Sequence, residues 1–286
     1  MNPWRLRTRE IDLSRPAAAG IVNVTADSMV PASRSVTPER AIEAGVALIG
    51  AGFDLLDVGA ISARSGPPVP AAEESAKLVP AIRGLVERTE VPVCADTFSP
   101  EVARAAVGAG AEVVNDIGGG EPSMLEAVAE LGCGYVLMHI EGPPRVDRDP
   151  PVYGNVVEHL AAWFGERLDA AAAAGIQPER IAIDPGPDFD LTVADDLEIL
   201  RRLPELAGLG RPLYMSLSRK DFVGAVLGGG WEERVAPQER EWGTAAVTAL
   251  AVAGGGSIFR LHDASALDAM RVAAAISSPH VEELSV

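Results

Sequence analysis

The 286-residue chain is predicted to be an α/β protein, a single (β/α)8 TIM barrel spanning residues 1–286, and three observations predict it. Short β-branched runs alternate with Ala-rich amphipathic segments from residue 17 to residue 277, which reads as strand followed by helix, repeated. The runs are continuously apolar, as strands covered by helices on both faces must be. Each run also ends in polar residues, and consecutive strand–helix units of this kind favour a closed barrel over an open doubly wound sheet.

The elements follow in order. Trp4 to Leu13 alternates in period two and suits a hairpin closing the bottom of the barrel. Strands are expected near Ala18 to Val24, Asp54 to Ala60, Val91 to Thr97, Glu112 to Ile117, Gly134 to Ile140, Ile181 to Gly186, Pro212 to Ser218 and Ser257 to Asp263. Helices are expected over Pro38 to Gly50, Glu73 to Arg88, Pro100 to Ala109, Ser123 to Leu131 and Asn155 to Ala174. Thr37-Pro38 and Ser99-Pro100 each place a capping hydroxyl before a proline at the first helical position, and Gly52, Gly110, Gly132 and Gly175 stand where helices should stop. Gly228 to Glu241, rich in Gly and charge, reads as a surface connection. Gly108-Ala109-Gly110 follows a helix and precedes a strand, so it is turn chemistry and not a dinucleotide fingerprint.

Composition narrows the function. A net charge of −17 opposes nucleic acid and anionic membrane surfaces as partners. No apolar stretch is long enough to span a bilayer and no secretory signal is visible, so a cytoplasmic location is expected. Cys94 and Cys133, the two cysteines, each lie in an apolar run and read as reduced, buried thiols.

The chemistry is expected at the strand ends, because the C-terminal rim of such a barrel builds the site. Asp96, Asn115 and Asp184 offer acceptors and donors suited to a planar, amide-rich heterocycle, with Lys220 as a cationic donor. Arg260 and His262, two apart on a strand, point the same way and could grip a phosphate or pyrophosphate; otherwise Arg260 pairs with a neighbour such as Asp263. Ser218 should lie near a helix N-terminus and favour a carboxylate. His139 is read as a structural hydrogen-bonding residue, outside the catalytic set.

Taken together, Asn23-Val24-Thr25-Ala26-Asp27-Ser28, Asp96-Thr97, Asn115-Asp116-Ile117, Met138-His139 with Gly142-Pro143, Asp184-Pro185-Gly186, Ser218-Arg219-Lys220 and Arg260-Leu261-His262-Asp263 resemble the dihydropteroate synthase family of the pterin-binding (β/α)8 superfamily. The resemblance implies a folate-biosynthetic transferase that condenses 7,8-dihydropterin-6-ylmethyl diphosphate with 4-aminobenzoate, assisted by Mg2+, and a homodimer. It implies Asp96, Asn115, Asp184 and Lys220 for the pterin, Asn23 for the metal and pyrophosphate, and Arg260 and His262 for the pyrophosphate. Ser218 and Arg219 would meet the aminobenzoate carboxylate, with Arg64 among the substrate-binding residues; Asp96, Lys220, Arg260 and His262 form the catalytic set. The chain departs from the family pattern at Met29 to Ser33, at Ala60 to Ser65, and at Pro187 to Leu191, where the family usually reads Ile-Gly-Phe-Gly-Lys. An alternative is therefore a pterin- or folate-binding homologue without synthase activity or with another second substrate; a corrinoid methyltransferase fits less well, since nothing indicates a cobalamin domain.

Overall fold

Eight parallel strands run in the order β8-β7-β6-β5-β4-β3-β10-β9, and a bridge from Ile183 to Leu213 joins the two ends of this sheet into a ring. The strands are β3 (Ala17–Asn23), β4 (Leu55–Gly59), β5 (Val93–Asp96), β6 (Val113–Asp116), β7 (Gly134–Met138), β8 (Ile181–Asp184), β9 (Tyr214–Met215) and β10 (Ile258–Leu261). Around them lie α1 (Pro38–Ala51), α2 (Ala71–Arg88), α3 (Pro100–Gly108), α4 (Pro122–Leu131), α5 (Val156–Ala173), α6 (Val193–Arg201), α7 (Leu203–Ala207), α8 (Asp221–Gly228), α9 (Glu241–Ala253) and α10 (Ala264–Ser277). The computed structural model describes residues 3–24, 37–62, 66–146 and 148–277. The (β/α)8 expectation holds.

The helix boundaries follow local chemistry. Thr37 and Ser99 accept hydrogen bonds from the amides of Arg40 and Val102, capping α1 and α3 ahead of Pro38 and Pro100. Gly52 and Gly132 end α1 and α4 in the left-handed conformation. The sequence reading delimits none of the helices α6 to α10, although Thr192 and Asp195 form a capping box at the start of α6.

Strand β9 is shorter than the run Pro212 to Ser218 suggests. Only Tyr214 and Met215 pair with β10, and the contact with β8 is the single bridge from Leu213 to Ile183. Ser216 and Ser218 instead direct their hydroxyls to Asp184 and His262.

Alternation along the strands sorts the core into two bodies. Residues such as Leu56, Val58, Val114, Leu137 and Ile183 face the helices. Ala19, Leu55, Cys94, Val113, Val136, Ala182, Tyr214 and Ile258 fill the barrel interior together with Trp4, Leu6 and Leu13. These last three come from the N-terminal hairpin, in which β1 (Trp4–Arg5) pairs antiparallel with β2 (Glu10–Ile11). The hairpin seals the N-terminal end of the barrel, and the Trp4 indole donates to the Arg180 carbonyl at 2.8 Å.

Candidate active site

The interior layer one step further along each strand is polar. Two residues beyond Leu55, Cys94, Val113, Ala182, Tyr214 and Ile258 stand Asp57, Asp96, Asn115, Asp184, Ser216 and Arg260. Because alternate strand residues share a face, these side chains enter the same end of the barrel. One step higher stand Asn23, Gly59, Ser218 and His262.

Asp57 organises one half of this layer. Its Oδ2 accepts hydrogen bonds from Asn115 Nδ2 at 3.1 Å, from the Tyr214 hydroxyl at 3.1 Å and from Arg260 Nε. Arg260 Nη2 also donates to Asp96 Oδ2 at 2.7 Å. Burial works against the guanidinium charge, but the Asp57 and Asp96 carboxylates hold the Arg260 pKa above its ordinary value. Burial pushes Asp96 up to about 7, with Arg260 opposing. Asp57 Oδ1 and Asn115 Oδ1 are buried and without a partner among the described residues, so they are acceptors open to a ligand N–H.

In the other half, Asp184 Oδ1 accepts from the Gly186 amide at 2.8 Å and Oδ2 from the Ser216 hydroxyl at 2.6 Å. Burial raises the Asp184 pKa, and these two donors oppose it. Gly186 has φ +71, and a Cβ there would stand 2.3 Å from the His139 carbonyl, so only glycine lets β8 turn away so close to the end of β7. Lys220 Nζ donates to the Pro187 carbonyl at 2.8 Å and lies 4.6 Å from the centre of the Phe189 ring.

His262 and Ser218 face each other across β10 and the end of β9. Ser218 Oγ lies 2.9 Å from His262 Nδ1 and accepts from the His262 amide at 3.3 Å. Burial, followed by the charge of Arg260, lowers the His262 pKa to about 3, so this ring is neutral across the physiological range. Arg219, at φ +58, reaches Asp263 at 2.5 Å. The arginine that pairs with Asp263 is therefore Arg219, whereas Arg260 pairs with Asp57 and Asp96.

A cavity of about 920 Å³ adjoins the rim. It shares Asp188, Phe189 and Asp190 with the loop after β8, and Arg148, Leu191 and Trp231 also line it. His139 meets Glu141 in the loop after β7 at 3.0 Å and the Trp163 ring of α5 edge-on, with ring centres 5.0 Å apart.

A family model described as "Pterin binding enzyme" matches residues 19–262. The chain is 36% identical over 256 residues to a dihydropteroate synthase from Synechocystis, covering 88% of this chain and 87% of the relative. The chain belongs to the dihydropteroate synthase family. Its fold is similar to that of a dihydropteroate synthase from Xanthomonas albilineans, solved with 4-aminobenzoic acid: TM-score 0.87, 40% identity, covering 98% of this chain and 100% of the other. The same Xanthomonas enzyme solved with 7,8-dihydropteroate gives a TM-score of 0.86 at 38% identity, over 98% of this chain and 100% of that one. A protein described as "Inactive dihydropteroate synthase 2", from Mycobacterium leprae, is 38% identical over 262 residues, covering 89% of this chain and 88% of the relative.

In this dihydropteroate synthase-family barrel, Asn23, Asp96, Asn115, Asp184, Ser218, Arg260 and His262 stand on the interior face of one rim, with Arg219 and Lys220 in the loop after β9. Arg64 and the altered segments Met29 to Ser33 and Ala63 to Ser65 lie outside the described residues. The sequence reading assigned no role to Asp57, Tyr214, Ser216 or Phe189. Asp57 carried a signal, since it is a carboxylate set among Leu55, Leu56, Val58 and Gly59, and such a group is tolerated only when it has partners.

Proposed function

We infer that the chain is a dihydropteroate synthase-type transferase that joins the methylene carbon of 7,8-dihydropterin-6-ylmethyl diphosphate to the amine of 4-aminobenzoate. The observation that carries this reading is the polar interior layer, in which buried acceptors on Asp57 and Asn115 have no partner among the described residues, in a chain otherwise similar to synthases. An aminopyrimidine edge supplies N–H groups of the kind these acceptors lack, and N–H bonds to Asp184 favour its charged form against burial. Lys220, laid over Phe189, closes the pterin from above.

In the reaction the methylene C–O bond breaks and its electron pair leaves with pyrophosphate. The arylamine nitrogen then forms the C–N bond and releases a proton. Arg260 offers a fixed positive charge to the leaving group, oriented in advance by Asp57 and Asp96. His262, kept neutral, serves the pyrophosphate as an N–H donor and not as a cation. Asn23 ends β3, and its side-chain oxygen is a donor of the type that a hard cation takes. Asn23 would hold Mg2+, which when bound would neutralise charge developing on pyrophosphate. Ser218 and Arg219 are assigned to the second substrate, and Arg64 joins them by family resemblance.

We further propose that residues 1–286 form one domain, working in the cytoplasm as a homodimer. Two free, buried cysteines suit a reducing compartment. No helix among the described residues is long and apolar enough to cross a membrane. Trp242 and Leu250 on α9, with Val272 and Ile276 on α10, are exposed apolar side chains that a second copy would cover.

A steady-state assay with the pterin diphosphate and 4-aminobenzoate tests the reading, with Lys220→Ala and Asp184→Asn as companions. The native chain should form dihydropteroate, and each variant should weaken pterin binding by roughly tenfold or more, on the scale of one charge-assisted hydrogen bond. Pterin binding with no product at any enzyme concentration would sink the synthase reading, and unchanged pterin affinity in both variants would sink the site assignment.

A further inference from the structure

The end of β7 and the first turn of α5 bring two of the chain's four histidines onto one carboxylate. Glu141 Oε1 lies 3.0 Å from His139 Nε2 and 2.5 Å from His159 Nε2. Among the described residues, His139, Glu141 and His159 are the one group of three His, Cys, Asp or Glu side chains whose ligating atoms all lie within 4.8 Å of one another. Atoms that share one ion, each about 2.0–2.2 Å from it, stand roughly 3–4 Å apart. Small side-chain rotations therefore bring all three onto a common ion.

The group lies outside the polar interior layer. His139 stands two residues beyond Leu137, which faces the helices, so it takes that same side of the sheet. The end of β3, which carries Asn23, is four strands away in either direction round the ring. The residue assigned to Mg2+ and this cluster thus belong to opposite sides of the barrel.

Each member of the group is held by its surroundings. His139 is fully buried against Trp163. The Glu141 amide donates to Asp190 Oδ2 at 3.0 Å, and the His159 ring centre lies 4.8 Å from that of Tyr153. Such supports orient ligands in advance. The side chains of His159 and Glu141 are 39% and 25% exposed, so the outer side of the group admits water as a further ligand. Burial lowers the His139 pKa and so favours the neutral ring, the form that ligates a metal. Two imidazoles and one carboxylate are a donor set that Zn2+ takes in sites with an open position, whereas Mg2+ prefers oxygen alone.

We propose that His139, Glu141 and His159 form a Zn2+ site, separate from the reaction centre, that ties the end of β7 and the loop after it to α5. The site does not depend on the synthase reading.

The test is calorimetric titration of Zn2+ into the full chain after treatment with a chelator and dialysis. The native chain should bind one equivalent at this site, with no competition from millimolar Mg2+. Zinc at about 100 times its Kd should raise the thermal midpoint by roughly 5 °C. Glu141→Gln and His159→Ala should each weaken Zn2+ binding by at least roughly tenfold and lose the rise in midpoint. Co2+ in place of Zn2+ reads the ligands in the native chain without any substitution. Its visible bands should show nitrogen and oxygen ligands, with none of the intense charge-transfer absorption of a thiolate from Cys94 or Cys133. Failure of the native chain to bind Zn2+, equal competition by Mg2+, unchanged Zn2+ affinity in both variants, or a thiolate band in the Co2+ protein would each overturn the proposal.

Discussion

Asp96 shows how much the chemistry of one residue depends on its neighbours. Along the chain it is an ordinary aspartate before a helix cap. In the barrel, burial holds its pKa up to about 7 against an ordinary 3.8, even with Arg260 beside it. Between those values the folded chain keeps a proton that the unfolded chain has released. The stabilisation from this residue is therefore fully present below pH 3.8 and is lost as pH rises towards 7. Asp96→Asn, neutral throughout, should gain stability relative to the native chain over that window and hold a constant advantage above it. Urea midpoints at pH 4, 5.5, 7 and 8 check this, and a variant that instead loses ground as pH rises would contradict it. His262 has the opposite sign, since its lowered pKa of about 3 makes its contribution grow with pH, but both proteins share it. Asp96, Asn115, Asp184 and Lys220 stood out in the sequence as polar groups at the ends of apolar runs. The pairing of Arg260 with Asp57 was hidden, because 203 residues separate the two and only barrel closure brings them together.

Elements show the same division. The hairpin of β1 and β2 could be anticipated because Trp4, Leu6, Ile11 and Leu13 point inward while charged residues intervene. Its place, in the N-terminal mouth of the barrel, seals the rim opposite the site. Trp4 is fully buried, so Trp4→Ala should cost about 3–5 kcal/mol in urea unfolding. Pterin affinity should stay unchanged, because the site lies at the other end; a parallel loss of affinity would show that the two rims are coupled. Strand β9 could not be delimited in the same way. An apolar run sets an upper limit on a strand, whereas its length is set by which of its residues pair with a neighbour, here Tyr214 and Met215 with β10. The helix boundaries at Thr37-Pro38 and Ser99-Pro100 were readable because a cap and its amide are three residues apart.

For the whole molecule, parallel strands need crossover helices, and repeated strand–helix units make closure the natural outcome. The outer surface then bears on assembly through Trp242, which is 84% exposed, and Leu250, which is 66% exposed. Sedimentation of the native chain at micromolar concentration should show a dimer, and a Trp242→Glu, Leu250→Glu double variant should run as a monomer; a monomeric native chain would refute the proposed assembly. By itself, the sequence determined the barrel, the rim that bears the chemistry and most of the residues on it, because strand period, helix caps and polar strand ends are local signals. Only the tertiary structure decided that Asp57 anchors Arg260 and that His262 is neutral. Those facts depend on charges brought from distant strands into a shared, water-poor interior, where separation in space and burial, not order along the chain, set the strength of each interaction.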